Sequence, residues 1–356
     1  MTAGSPVTGD GIRDPELDGL RGVAIALVLA GHLLTFRLGV SWAAPLGALG
    51  VQLFFALSGF LITRLLVREL DARGRINFKH FYIRRAFRIF PAFYVFLAVV
   101  ALLIVTGSVT DTNWRSFLAA GLYISNIRGS SVTLGHTWSL ALEEQFYALW
   151  PVCLGLLPRP GRRRLTLFLV LLFMLWRAVA ISLQLWSYES SVFYERTDFR
   201  LDSLLVGGLL ALDEPRSRAA THSQALWLAM SAVAFFVSPV LGRVVPLRPI
   251  ALSVSVIASA GVLKGVLNCS GSAITGVLRH SWLRGLGRIS YSVYLWQQPL
   301  LVSTLVGVPM TEGALFGLFA CLIVGLASFA LVEQPMLRLR DSYRSGLREA
   351  EGPLSR

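Results

Sequence analysis

Three stretches of this 356-residue chain hold residue types that could do chemistry. The first, LDGLRGVAIALVLAGHLLTF over residues 17–36, sets Arg21 and His32 eleven positions apart. On a helix turning ~100° and rising ~1.5 Å per residue, the two share one face about 16.5 Å apart along the axis. One is a fixed charge able to hold an anion; the other titrates near neutrality and can take a proton. The second stretch, HFYIRRAFRIFP over residues 80–91, groups Arg84, Arg85 and Arg88 with i,i+3 and i,i+4 spacings. Part of that group shares a helical face, and clustered guanidiniums suit phosphate through bidentate hydrogen bonds. The third, GHTWSLALEEQFYALWP over residues 135–151, puts His136, Ser139 and Glu143 near one face, with Glu144 beside Tyr147. A carboxylate there could stabilise the protonated form of a histidine base or bind an acceptor hydroxyl.

Each stretch has a plainer counterpart. Arg21 could anchor a helix end, and His32 could be a satisfied interhelical hydrogen-bonder. The arginine group could be a topogenic cluster on lipid headgroups. Glu143 and Glu144 could pair with Arg177 or Arg200 to hold a bundle together. Ser58, in FFALSGFLI, could serve packing and a back-bond to its own helix.

The elements that must position these residues are membrane helices. Hydrophobic residues make up 54% of the chain and charged residues 15%, and the mean hydropathy is +0.63, so too little polar surface exists to cover a soluble domain. A net charge of +13 could suggest nucleic acid, but the basic residues sit in short loops between apolar spans. We therefore expect an all-α, polytopic transmembrane bundle without a nucleic-acid partner. Cys153, Cys269 and Cys321 have neither paired nor metal-ligand spacing, and no metal site is implied. The first span resembles a signal peptide in length, but a histidine near its end and the many spans that follow mark it as retained.

Topology follows from charge. Residues 1–16 read as a disordered cytoplasmic tail, 17–335 as the transmembrane domain and 336–356 as a basic cytoplasmic tail. The basic segment Arg64–Arg88 belongs in the cytoplasm by the positive-inside rule. The apolar piece Phe117–Ile127 is too short to span, and treating it as re-entrant keeps PRPGRRR, residues 158–164, on the cytoplasmic side. Spans are expected at 17–36, 46–67, 90–105, 138–157, 165–186, 201–212, 225–241, 249–268, 289–306 and 314–332. That is about ten, with both termini cytoplasmic.

Taken together, LDGLRGVAIALVLAGH, FFALSGFLI, FYIRRAFRIFP, HTWSLALEEQFYALWP, RTDFRLDSLLVGGLLA and LGRISYSVYLWQQPLL resemble the acyltransferase-3 family of bacterial membrane O-acyltransferases. They stand in family order across nearly the whole chain. The family pattern of a basic residue, ten positions and a histidine falls on Arg21 and His32, and its basic motif before the third helix on Arg84, Arg85 and Arg88. Related sequences often read YLWHQP where this chain has Gln297, which points to a different acceptor if that histidine contacts it. The chain also ends at Arg356 without room for the extracytoplasmic esterase-like domain that some members carry, so the membrane part is expected to act alone.

The resemblance implies a bacterial inner-membrane enzyme moving an acyl group, most simply acetyl, from cytoplasmic acyl-coenzyme A to a hydroxyl of a surface glycan or glycosylated small molecule, with no bound cofactor. Arg21, Arg84, Arg85 and Arg88 would grip the donor phosphates. His32 would serve as base, or as an acyl carrier, supported by Glu143 or Glu144. Ser58, His136, Trp138, Ser139, Asp202 and Tyr294 are the acceptor-side candidates. Succinyl transfer or a macrolide-type acceptor is the rival within the family. A transporter or flippase for a lipid-linked glycan, or a scaffolding subunit, is the rival from another class. Membrane lipid surrounds the bundle in every case, and the sequence leaves the oligomeric state open.

Overall fold

The computed structural model describes residues 14–128, 131–185, 194–213, 222–269, 272–302 and 313–350, and leaves the side chains of Arg128, His222, Ser223 and 343–350 aside. It is all helical, with no strand among the described residues. Helix α1 (Pro15–His32) starts two residues before the apolar run, because Pro15 suits a first helical turn. The rest of the expected tail, residues 1–13, lies outside the described residues. Helices α2 (Ala44–Arg73) and α3 (Phe78–Val105) follow, the first ended by Gly74 at φ +69° and the second opened by the Asn77 side chain, which accepts from His80 N–H. Such left-handed glycine ends and Asx caps satisfy the free backbone groups of helix termini.

The segment expected to be re-entrant forms two short helices, α4 (Trp114–Gly121) and α5 (Ser125–Arg128), broken at Tyr123. Eight residues reach only about 12 Å, far short of a bilayer. Then come α6 (Thr137–Leu156), α7 (Arg159–Ser182), α8 (Thr197–Leu212), α9 (His222–Leu241) and α10 (Arg248–Asn268). Short helices α11 (Ala273–Leu278), α12 (Ser281–Arg288) and α13 (Ser290–Gln297) precede α14 (Ala314–Ser328) and α15 (Gln334–Ala350). Seven helical segments among the described residues are long and apolar enough to cross a membrane. The other three expected spans are helical too, but α6 and α8 carry polar faces into the bundle, and α13 runs toward residues outside those described.

The centre of the bundle is α2, packed along α1 on one side and α8 on the other. Small residues allow the approach: a side chain at Gly59 would strike the Leu204 carbonyl, and one at Gly207 the Ala56 carbonyl. Gln52 ties the layers, donating to Ser259 Oγ at 3.1 Å and accepting from Ser203 Oγ at 3.0 Å.

Three helices pass into a π turn: α1 at Leu33–Arg37, α13 at Gln298–Val302 and α14 at Phe329–Glu333. A π turn inserts one residue and frees backbone carbonyls. Buried Arg37 meets that need across the first two turns, donating from Nε to the Leu301 carbonyl at 2.9 Å and from a terminal nitrogen to the Leu300 carbonyl at 3.2 Å. His32 and Gln297, the last residues before these turns, are thereby brought face to face.

Candidate active site

Four of the bundle's helices and the α12–α13 junction enclose a cavity of roughly 790 Å³, including its open mouth. From α1 comes Arg21; from α2, Val51, Phe54, Phe55 and Ser58; from α3, Arg85, Arg88 and Ile89; from α6, Ser139, Leu140, Glu143, Glu144 and Tyr147. Gly287, Arg288, Ser290, Tyr291 and Tyr294 complete the wall. Helical periodicity explains the selection: on α6, positions 140, 143, 144 and 147 form one stripe, and on α2 positions 51, 54, 55 and 58 do.

The wall is electrostatically lopsided. Four arginines face two glutamates, leaving an excess of two positive charges where apolar bilayer would otherwise make charge costly. The Arg85 guanidinium lies over the Tyr147 ring, 3.7 Å from its centroid, and its buried Nε has no hydrogen-bond partner. Arg88 lies close to Arg21, Arg85 and Glu333, and Glu333 accepts from Ser292 Oγ at 3.0 Å. Arg288 stands 4.0 Å from Asp18. The hydroxyls of Ser58 and Tyr147 face the Glu143 carboxylate. Further in, Tyr294 and Ser139 hydroxyls are 2.6 Å apart, and Ser139 donates to the His136 carbonyl at 3.0 Å.

His32 does not line this cavity. It sits half-buried at the end of α1, on the same helix as Arg21, with Nδ1 hydrogen-bonded to Gln297 Oε1. Gln297 is three residues beyond Tyr294 on α13, about 4.5 Å of helix rise past the cavity wall. The arginines thus mark one end of a line and the histidine the other. A charged group held at the first would be some 16 Å along α1 from a base at the second.

Of the residues singled out in the sequence, Arg21, Arg85, Arg88, Glu143, Glu144, Ser58, Ser139 and Tyr294 come together on the cavity wall. Four do not. Arg84 turns away from the cavity to Glu69 on α2, 3.6 Å distant. Asp202 pairs with Arg177 at 2.8 Å, with both side chains fully buried between α7 and α8. His136 and Trp138 stand behind the wall: His136 packs edge-on against Phe96 and Tyr294, and Trp138 against Phe55. The arginines near Glu143 and Glu144 are Arg85 and Arg21, whereas Arg177 is paired with Asp202 and the guanidinium of Arg200 lies against the rings of Phe55 and Trp138.

Sequence reasoning passed over Arg37, Tyr147, Arg288, Tyr291 and Glu333 as site residues. Arg37 and Glu333 each end an apolar run with a buried charge, and that pattern was the signal available.

The chain matches the family model for the acyltransferase-3 acyltransferase domain across residues 14–333 and belongs to that family. What it shares with that family is an acyltransferase domain, here built as a bundle of membrane helices. It is 29% identical over 360 residues to peptidoglycan O-acetyltransferase OatA of Listeria monocytogenes, covering 90% of this chain and 55% of that protein. It is 30% identical over 355 residues to the putative peptidoglycan O-acetyltransferase YrhL of Bacillus subtilis, covering 90% and 54%. A putative O-acetyltransferase of Staphylococcus aureus is 37% identical over 217 residues, 55% of this chain and 34% of that one. The chain thus spans about half the length of the curated relatives it matches. No solved structure matches it.

Proposed function

We propose that this protein transfers an acyl group, most simply acetyl, from a cytoplasmic acyl-coenzyme A to a glycan hydroxyl on the far side of the membrane. The observation that carries this reading is the cavity with four arginines, joined along α1 to a histidine about 16.5 Å away. Arg21, Arg85 and Arg88, with Arg288 at the mouth, suit the phosphates of the donor through charge-assisted bonds. A slender pantetheine arm can cover the distance from there to His32. Two of the relatives are named for peptidoglycan, which makes a peptidoglycan sugar the first acceptor to try.

In the transfer step the acceptor hydroxyl gives its proton to the free imidazole nitrogen of His32 as its oxygen bonds to the thioester carbonyl carbon. The carbon–sulfur bond then breaks, and the proton passes to the departing thiolate. A positioned base of this kind contributes roughly 10²–10⁴ in rate. Glu143, held by Ser58 and Tyr147, would balance the arginine charge once the product leaves. The orientation that puts the arginine end in the cytoplasm rests on the basic segments 64–88 and 158–164.

The test is acetyl transfer, or slow hydrolysis, of radiolabelled acetyl-coenzyme A by the purified protein in nanodiscs, with donor binding followed by calorimetry. His32→Ala should bind donor as wild type does and turn over at least 100-fold more slowly. Well-folded wild type that neither binds nor consumes acetyl-coenzyme A would replace this reading with another donor or with glycan transport.

A further inference from the structure

His32 is not an isolated base. Its Nδ1 meets Gln297 Oε1; Gln297 Nε2 lies 3.3 Å from Gln298 Oε1; and Gln298 Nε2 donates to the Val132 backbone carbonyl at 2.9 Å. The two glutamine side chains are buried, Gln297 at 0% exposure and Gln298 at 8%. The polarity of this chain follows from its last member. A backbone carbonyl only accepts, so the Gln298 amide must present its nitrogen to Val132 and its oxygen to Gln297. Gln297 must then present its nitrogen to that oxygen, leaving its own oxygen for His32. An amide oxygen cannot donate, so a neutral His32 carries its proton on Nδ1 and leaves Nε2 with a lone pair. Turning over either amide would set oxygen against oxygen or N–H against N–H at a buried joint, leaving hydrogen bonding unmet where no water can supply it.

The surroundings agree with a chain held in one direction. A side chain at Gly135 would come within 2.8 Å of Gln298 Nε2, so the amide occupies room that only glycine leaves. Arg37 grips the two carbonyls just past Gln298, fixing the π turn that carries it. At the other end, Nε2 looks onto Gly47 of α2: a methyl there would lie 3.4 Å from Nε2 and 3.5 Å from Cδ2, touching nothing else within 4 Å. The absent side chain leaves methyl-sized room beside the nitrogen that the amide chain keeps unprotonated.

We propose that Gln297 and Gln298 are positioning residues that form a one-way amide relay from the Val132 carbonyl, fixing His32 in the Nδ1–H tautomer so that Nε2, beside Gly47, is the proton acceptor. The proposal rests on the acyl-transfer reading for its purpose but not for its test. A glutamine suits the task because it cannot ionise or change tautomer, whereas a histidine at position 297 could do both. Gln297 is thus read as part of the base and not of acceptor selection.

The decisive experiment is ¹⁵N magnetic resonance of histidine-labelled protein in nanodiscs without substrate at pH 8, where an imidazole with the ordinary pKa of about 6.5 is neutral. The chain has five histidines, and His32 is assigned by the signal lost in His32→Gln. Wild type should show His32 protonated on Nδ1 alone. Gln297→Leu should show a mixture of tautomers and a kcat down at least 10-fold with donor KM within about twofold. Gln297→Glu keeps an acceptor for Nδ1–H but loses the donor to Gln298 Oε1, so it should retain the Nδ1–H tautomer with a kcat between those of Gln297→Leu and wild type. Should Gln297→Leu fail to fold, Gly47→Ala decides: its methyl meets only the Nε2 edge, so kcat falls if Nε2 is the base and stays put if Nδ1 is. Wild-type His32 protonated on Nε2, or an unaffected tautomer in Gln297→Leu, overturns the relay. An Nδ1–H tautomer in a protein that transfers no acyl group leaves the relay standing and removes the function proposed above.

Discussion

Two clusters of buried charge flank α2, and they are built to opposite ends. Between α7, α8 and α10, Arg177 is fully buried and its terminal nitrogens are spent on the protein itself: the Phe199 carbonyl at 2.6 Å, Asp202 at 2.8 and 3.0 Å, and Ser253 Oγ at 2.8 Å. Neither Arg177 nor Asp202 lines the arginine cavity. At the cavity, Arg21, Arg85, Arg88 and Arg288 outnumber Glu143 and Glu144 around open space. Charge inside a membrane bundle is costly in both places. Where protein groups answer it, it locks helices together; where space is left, it marks the seat of something that arrives.

Loss of one partner should therefore hit the two clusters differently, and the largest effect belongs to the closed one. Arg177→Leu strips buried Asp202 of its ion-pair partner, leaving only the nearby charge of Arg200, and the loss of a buried partner costs about 3–5 kcal/mol. In detergent it should appear as a large fall in Tm and in folded yield. Arg177→Leu with Asp202→Leu should recover at least half of that loss, because a matched apolar pair replaces a buried ion pair at little cost. A single variant that stays stable but loses turnover would move this pair into the functional machinery and break the contrast. Next in size is Arg85→Ala. It should leave Tm nearly unchanged and weaken coenzyme A binding by 10- to 100-fold, the ~1.5–3 kcal/mol of hydrogen bonds to a charged group. Normal donor binding with abolished transfer would sink the phosphate clamp and make Arg85 part of the chemistry.

The difference between the clusters also marks what the sequence could and could not tell. Arg21 and His32 were legible as one face because both fall on a single unbroken helix, and Glu143, Ser139 and Ser58 were legible because charge and small polar groups in apolar spans stand out. Asp202 was not. Its partner depends on how α7 crosses α8, and no spacing within one helix carries that information. Arg84 differs from Arg85 by one residue, about 100° of helix rotation, and only the packing of α3 against α2 decides which of them faces the cavity. The His32–Gln297 contact was hidden for another reason. It is made at two π turns, where an inserted residue shifts the register without a sequence signature. Seven helical segments meet the length and apolarity of a span, while α8 is only 16 residues long and α6 carries polar residues into the bundle.

Arg84→Ala gives the smallest expected effect and the sharpest boundary to the cavity cluster. The Arg84 side chain is 28% exposed and stands 3.6 Å from Glu69, whose other oxygen accepts from Asn77 N–H at 3.0 Å where α2 hands over to α3. A partly exposed ion pair of this kind is worth about 0–1 kcal/mol, so Tm should move by a few degrees at most. Coenzyme A affinity should stay within about threefold of wild type, because the guanidinium does not face the cavity. Glu69→Ala and the double variant then separate the pair from the site. Coupling between the two changes in Tm, without coupling in donor Kd, places Arg84 in the α2–α3 joint. If Arg84→Ala instead weakens donor binding as much as Arg85→Ala does, all three arginines of FYIRRAFRIFP grip the donor together. The cavity seen here would then have to widen, with α3 turning toward α1, when its ligand enters.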